Sequence, residues 1–241
     1  MLHDVIAWFA DPAHWHGQNG ILTRLLEHTL LTFTATAVAV LVGLPVALWL
    51  GHLGRGGFLA INISNVGRAI PTFAVLLVLS LTPLGSSELG PYGRAGLSTL
   101  VALLLFALPP VVTNAYVGIR EVDRDTVAAA RGMGMTGLQL FRKVELPLAL
   151  PLVMAGLRLA LVQVWATATI AALVAGPGLG NIITLGFIRT DYAEVVAGAI
   201  VVAVIALLLE GVMVLAPSLV DPVSRARRTT EGARPKSAAV A

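Results

Sequence analysis

Cysteine is absent from the chain, which excludes disulfides, thiolate metal sites and cysteine nucleophiles. Charge is scarce. Only 12% of the 241 residues are Asp, Glu, Lys or Arg, against roughly one-quarter in an ordinary soluble domain; 57% are hydrophobic and the mean hydropathy is +0.87. A soluble globule is excluded on that balance. No G-x-x-x-x-G-K-[ST] phosphate loop occurs: Gly176, Gly178 and Gly180 stand in PGLGN with no lysine after them, so the chain has no nucleotide site of that kind. No His or carboxylate cluster has metal-ligand spacing, and no cofactor is expected. The net charge of +3 is too small, and its basic residues too closely tied to the ends of apolar runs, to point to nucleic acid.

What the chain does have is long stretches free of Lys, Arg, Asp and Glu: 27 residues from His28 to Gly54, 19 from Ala69 to Ser87, 25 from Ala95 to Ile119 and 30 from Leu159 to Ile188. Each is long enough to cross a hydrocarbon core of roughly 30 Å. Backbone amides cannot stay unpaired in lipid, so these runs must be helices; the alternating ten-residue segments of a transmembrane barrel are missing. The reading is an all-α polytopic membrane protein with about five spans, near 28–50, 58–81, 97–119, 147–175 and 195–219. Pro71 and the Pro109-Pro110 pair fall inside the second and third, where lost backbone donors predict a kink or break.

Residues 1–27 form an N-terminal segment without the basic start and small-residue cleavage pattern of a signal peptide. Trp8, Phe9 and Trp15, with three histidines, suit a segment at the membrane surface; a frayed tail is the other reading. Residues 28–220 make the membrane domain. The Arg-, Ser- and Ala-rich tail at 221–241 reads as disordered. With the N-terminus outside, eleven Lys and Arg fall in inner segments and three, Arg24, Arg94 and Arg189, in outer ones. The positive-inside rule therefore places the 120–146 connection and the tail in the cytoplasm.

That connection, EVDRDTVAAARGMGMTGLQLFRKVELPLALP, is far longer than a turn between two spans requires. Asp123 suits a helix start and Asp125 its positive first turn, while Ala128, Ala129 and Ala130 favour helix with almost no bulk. Gly132 and Gly134 let the chain stop and turn. A second short helix follows with Leu138 and Phe141 on one face, and Pro147 suits the first turn of the next span. The expectation is a short cytoplasmic helix tied rigidly to two membrane helices.

This stretch resembles the inner-membrane permease subunits of binding-protein-dependent ABC importers. Their loop reads Glu-Ala-Ala, three residues, Gly, nine residues, an aliphatic residue, one residue, Leu and Pro; here Ala129, Ala130, Gly134, Val144, Leu146 and Pro147 fall on the pattern, with Ala128 at the Glu position. Asp125, Arg131 and Glu121 are the alternative polar contacts for an ATPase. GRAIPTFAVLLVL from Gly67, LPPVVTNAYVGI from Leu108 and AGPGLGNIITLGF from Ala175 are similar to the permeases for glycine betaine, choline and carnitine, a group that shares its broad fold with methionine permeases. The resemblance implies an ABC type I importer permease fold with a coupling helix. It also implies two separate ATPase subunits, a second permease, identical or similar, an extracytoplasmic binding protein, and a bacterial or archaeal inner membrane.

For a quaternary ammonium cargo, aromatic faces are natural contacts, which makes Phe73, Phe106, Tyr116 and Trp165 pathway candidates alongside a packing role. Arg68, Pro71, Asn114 and Gln163 complete the pathway or gating set, Asn114, Gln163 and Asn62 as interhelical hydrogen-bonders. Arg68 and Arg158 are conspicuous because an arginine in a span is costly; Glu210 is a partner for either. The segment PGLGNIITLGFIRTDYAE reads as a gate-adjacent element or an interfacial helix. The expected function is import of small osmoprotectant amines. An amino acid such as methionine is the nearest alternative cargo, and a lone proton-coupled carrier a distant one, since Glu210 stands alone and no repeat is visible.

Overall fold

The computed structural model describes residues 1–58, 62, 67, 69–88, 92, 93 and 95–220, the last five by backbone alone. Among these residues the fold is helical, without strands. The elements are α1 (Leu2–Ala10), α2 (Ile21–Leu53), α3 (Thr72–Ser80), α4 (Gly96–Arg120), α5 (Arg124–Gly132), α6 (Leu146–Ile170), α7 (Gly180–Arg189) and α8 (Tyr192–Val220), with short turns between them. Four stretches among the described residues are long and apolar enough to span a membrane: Ile21–Leu53, Gly96–Arg120, Gly137–Val174 and Tyr192–Leu215. The expected 58–81 span falls partly outside the described residues; within them, Pro71 is the N-cap of α3, so the helix begins where proline's missing donor costs nothing.

α2 starts seven residues before the expected span. The charge pair that seemed to mark its boundary is internally neutralised, because Arg24 Nη1 donates to Glu27 Oε2 at 2.9 Å one turn away. α2 then buries Leu31, Ala35, Ala39, Gly43, Ala47 and Gly51, one small or slender residue every four positions. Such a stripe lets helix axes approach closely. It meets Leu103 and Ala107 of α4 and Val164 and Ala168 of α6 in one core, and Ala115, Tyr116, Ala149 and Val153 in a second. α4 therefore lies between α2 and α6. It runs unbroken through Pro109 and Pro110, both buried, so the expected break does not occur. Close approach recurs at Gly156 of α6, where a Cβ would stand 2.5 Å from Asn114 Cβ and 2.8 Å from the Pro110 carbonyl oxygen.

The N-terminal segment is a docked element rather than a frayed one. Val5 and Trp8, one turn apart on α1, enter a core with Ile21, Trp165, Leu179, Ile182 and Ala197, and the Trp15 indole donates to the Phe9 carbonyl at 2.8 Å. α7 packs against α8 beside it. The tail at 221–241, read as disordered, lies outside the described residues.

Candidate functional site

The α5 turn at one end of the bundle is built by successive local motifs. Asp123 opens it: its carboxylate accepts from the Thr126 N–H at 2.8 Å and from the Thr126 hydroxyl at 3.0 Å. Those two donors hold the carboxyl below its ordinary range. The helix closes on a Schellman stop, in which Gly134 N–H donates to the Arg131 carbonyl at 2.9 Å and Met135 N–H to the Ala130 carbonyl at 3.3 Å. Gly134 sits at φ +82° with open space around it; glycine is needed there for its backbone, and a bulkier residue would meet no neighbour. Thr136 and Gln139 then restart the chain with a reciprocal capping box.

The restart differs from the expected face. Gly137–Leu140 forms a single turn that runs through a π turn, Phe141–Glu145, directly into α6. A π turn shifts the helical register, and Leu140 becomes buried while Leu138 stays exposed. Phe141 remains half-buried, its ring 5.5 Å from that of His52. Pro147 stands in the first turn of α6 as expected. The π turn also carries Glu145 into a buried position, where His52 Nδ1–H at the end of α2 donates to its carboxylate at 2.5 Å. This tie between α2 and α6 was not singled out from the sequence, where Glu145 occupies a free position of the loop pattern.

Of the coupling candidates, Asp125, Ala128, Ala129, Arg131 and Gly134 are exposed, Ala130 is buried, and Val144, Leu146 and Pro147 are half-buried at the start of α6. Behind α5 lies a cleft of about 490 Å³ lined by His52, Arg120, Arg124, Ala128, Arg131 and Glu145, among others. The structure thus brings Ala128 and Arg131 together beside the His52–Glu145 tie.

The pathway candidates do not converge. Arg68 lies outside the described residues. Pro71 and Phe73 are exposed on α3. Asn114 on α4 donates to the Pro110 carbonyl of its own helix at 2.8 Å, and Asn62 donates to the Phe58 carbonyl at 2.7 Å. Gln163 is half-buried on α6; Phe106 and Tyr116 are buried. Trp165 is 1% exposed, and its indole donates to the Val202 carbonyl at 3.1 Å. Arg158 pairs with Glu210 across α6 and α8.

At the opposite end, the PGLGN segment is clasped to α2. Gly178 N–H donates to Glu27 Oε2 at 3.0 Å and Leu179 N–H to His28 Nδ1 at 3.2 Å. Because Nδ1 accepts, Nε2 carries the proton and donates to the Trp165 carbonyl at 3.0 Å. Gly178 has φ +113°, and a Cβ there would stand 2.9 Å from His28 Nδ1.

The family model for the inner membrane component of binding-protein-dependent transport systems matches residues 29–222. The chain belongs to this family. It is an integral inner-membrane ABC permease, a transport component with partners of its own kind and of other kinds. The permease is 30% identical over 207 residues, 86% of its length and 91% of the relative's, to the choline transport system permease protein OpuBB of Bacillus subtilis. It is 32% identical to the glycine betaine/carnitine/choline transport system permease protein OpuCD of the same organism, over 88% of this chain and 90% of that one. It is also 34% identical to the osmoprotectant import permease protein OsmY of Salmonella typhimurium, over 76% and 75% of the two chains. Among solved structures, an inward-facing MetNI methionine ABC transporter aligns with TM-score 0.64 and 24% identity, covering 78% of the permease and 90% of that chain. That likeness establishes the ABC type I permease fold.

Proposed function

We propose that the chain is the membrane-spanning permease of an ATP-driven importer for quaternary ammonium osmoprotectants: glycine betaine, choline or carnitine. The relatives' names support this cargo class. The observation that carries the mechanism is α5: an exposed helix with a run of three alanines, stopped by local hydrogen bonds and followed at once by a capped turn, Gly137–Leu140, that is continuous through a π turn with α6. A rigid projection of this kind transmits force to the span behind it. In this reading two separate ATPase subunits grip one α5 each on a pair of permeases, and their ATP-driven closure reopens the pathway toward a docked extracytoplasmic binding protein. The N-terminus lies outside, and α5 and the C-terminal tail face the cytoplasm, as the positive charge balance supports. Hydrolysis belongs to the partner, and the chain itself holds no cofactor.

The test is uptake of labelled glycine betaine, choline, carnitine and methionine into proteoliposomes carrying the complete complex, with and without internal ATP. ATP-dependent uptake of the quaternary amines is the expected result. Methionine uptake alone would reassign the cargo, and uptake by the purified permease without ATPase subunits would overturn the coupling role of α5.

A further inference from the structure

Arg158 and Glu210 are ionisable side chains deep within the long apolar helices, and their position is unusual. Arg158 lies twelve residues from either end of α6, Leu146–Ile170, which puts it about 18 Å from each end at the helical rise. An arginine in the middle of an apolar helix is costly unless it is paired or hydrated. The pair is also not buried: the Arg158 side chain is 42% exposed and that of Glu210 33%. Half-exposed charges facing hydrocarbon are costly, and such groups are found against water or protein instead. Beside them lies an open groove of about 410 Å³ lined by Ala155, Arg158, Leu159 and Val162 on one face of α6 and by Glu210 of α8.

We infer that the Arg158–Glu210 pair is a transit site for a small zwitterion, which inserts between the two charges with its carboxylate on Arg158 and its quaternary ammonium on Glu210. This rests on the proposed function for its cargo class and goes beyond it in naming the charges that read the cargo. The apolar side chains of Ala155, Leu159 and Val162, on one face of α6, suit the methyl groups of a quaternary nitrogen. No aromatic ring lines the groove, so the cation is held by a carboxylate in apolar surroundings rather than by a π face.

Insertion exchanges one ion pair for two, and each protein charge keeps a partner throughout. Because the protein pair must open first, much of the gain from the new contacts is offset and the site binds weakly. Weak binding is what a path needs in order to release its cargo. The same logic discriminates by charge. A plain cation such as choline satisfies Glu210 and leaves Arg158 unpaired, which penalises it against glycine betaine.

The experiment uses the assembled permease–ATPase complex in nanodiscs, without binding protein or ATP, so that the binding protein's own cargo site is absent. Saturation-transfer NMR on the N-methyl protons of glycine betaine and choline reads binding. The wild-type complex should favour glycine betaine by about tenfold in Kd, a single uncompensated charge being worth at least that much. Arg158→Gln should lose glycine betaine binding by about tenfold and bring choline level with it or ahead. Glu210→Gln should weaken both. Arg158→Gln/Glu210→Gln keeps a hydrogen bond between the helices and should bind neither; melting temperature and elution volume report its fold. A merely helix-joining pair predicts the opposite, a double variant that folds and binds both ligands as the wild type does. That result, or no saturable signal from a wild-type complex that imports glycine betaine, overturns this site alone; absence of import by the wild type overturns the proposed function and the site with it.

Discussion

The two ends of the α2–α4–α6 bundle are held by different kinds of contact. At the α5 end, the hydrogen bonds that shape α5 and the turn after it join residues three to five apart, Asp123 to Thr126, Gly134 to Arg131, Met135 to Ala130 and Thr136 to Gln139, with the His52–Glu145 tie behind them. At the other end, the Glu27–His28 clasp reaches Trp165, Gly178 and Leu179, 137 and 151 residues away. Local motifs leave the outer face of α5 bare for a partner to grip while its shape stays fixed. Long-range hydrogen bonds instead spend every polar atom of His28 internally and leave nothing for a partner. The clasp end ties α2 to α6 and to the PGLGN segment, and in the proposed function the α5 end is a handle on them.

The largest expected effect follows from removing the clasp. His28→Leu keeps the volume, leaves the Leu179 N–H without its partner and removes the second bond to the Trp165 carbonyl, in a fully buried place. A buried orphan costs about 1–3 kcal/mol, and with the bond to Trp165 also lost a destabilisation of about 3 kcal/mol is expected. Thermal melting of the purified permease in detergent, together with its level in the membrane, should fall sharply. If melting is unchanged, the clasp is incidental and the contrast between the two ends fails.

Gly134→Val inverts that outcome. Nothing stands within 4 Å of the missing Cβ, so the core is untouched, but a β-branched residue at φ +82° carries about 2 kcal/mol of backbone strain. The Schellman stop should open and α5 lose its fixed angle to α6. Membrane level should stay near wild type while uptake per ATP hydrolysed falls about thirtyfold, the equivalent of that strain. Normal uptake by this variant would refute α5 as the handle.

A smaller effect is expected on the far side of the same turn. Thr136→Val removes the hydroxyl that accepts from Gln139 N–H and so half of the capping box, costing about 1 kcal/mol. Uptake should drop a fewfold, with Thr136→Ser restoring it. An effect on melting as large as that of His28→Leu would show that this end is not locally held after all.

The same division explains what sequence reading recovers. Long apolar runs are dictated by the hydrocarbon, so the spans at 97–119, 147–175 and 195–219 coincide with helices. The Asp123, Gly134 and Pro147 signals are local, and each sits in the role its chemistry suggests. The start of α2 was missed because Arg24 and Glu27 read as a boundary until their mutual pairing is seen. His52–Glu145 and Glu27–His28–Leu179 were invisible for a deeper reason: their partners are 93 to 151 residues apart, and no periodicity links residues across that distance. Glu210 was recognisable as a partner for an arginine, but choosing Arg158 required the packing of α8 against α6.

The smallest effect isolates the first turn of α5. Thr126 holds the Asp123 carboxyl below its ordinary range through its N–H first and its hydroxyl second. A carboxyl whose value is lowered on folding stabilises the fold above its unfolded value, near 4, and loses that contribution as pH falls through the lowered one. At neutral pH the cap is therefore fully present. Acidification below about pH 4 should loosen the Thr126 and Val127 amides before any change reaches α6. Hydrogen exchange, corrected for the intrinsic pH dependence of each amide, reads this directly. Asp123→Asn retains an acceptor without the titration, so its α5 amides should exchange with no acid transition. An acid transition that persists in Asp123→Asn would assign the pH response to another carboxyl, and simultaneous loosening of α6 would show that the handle and the span behind it do not behave as separately held parts.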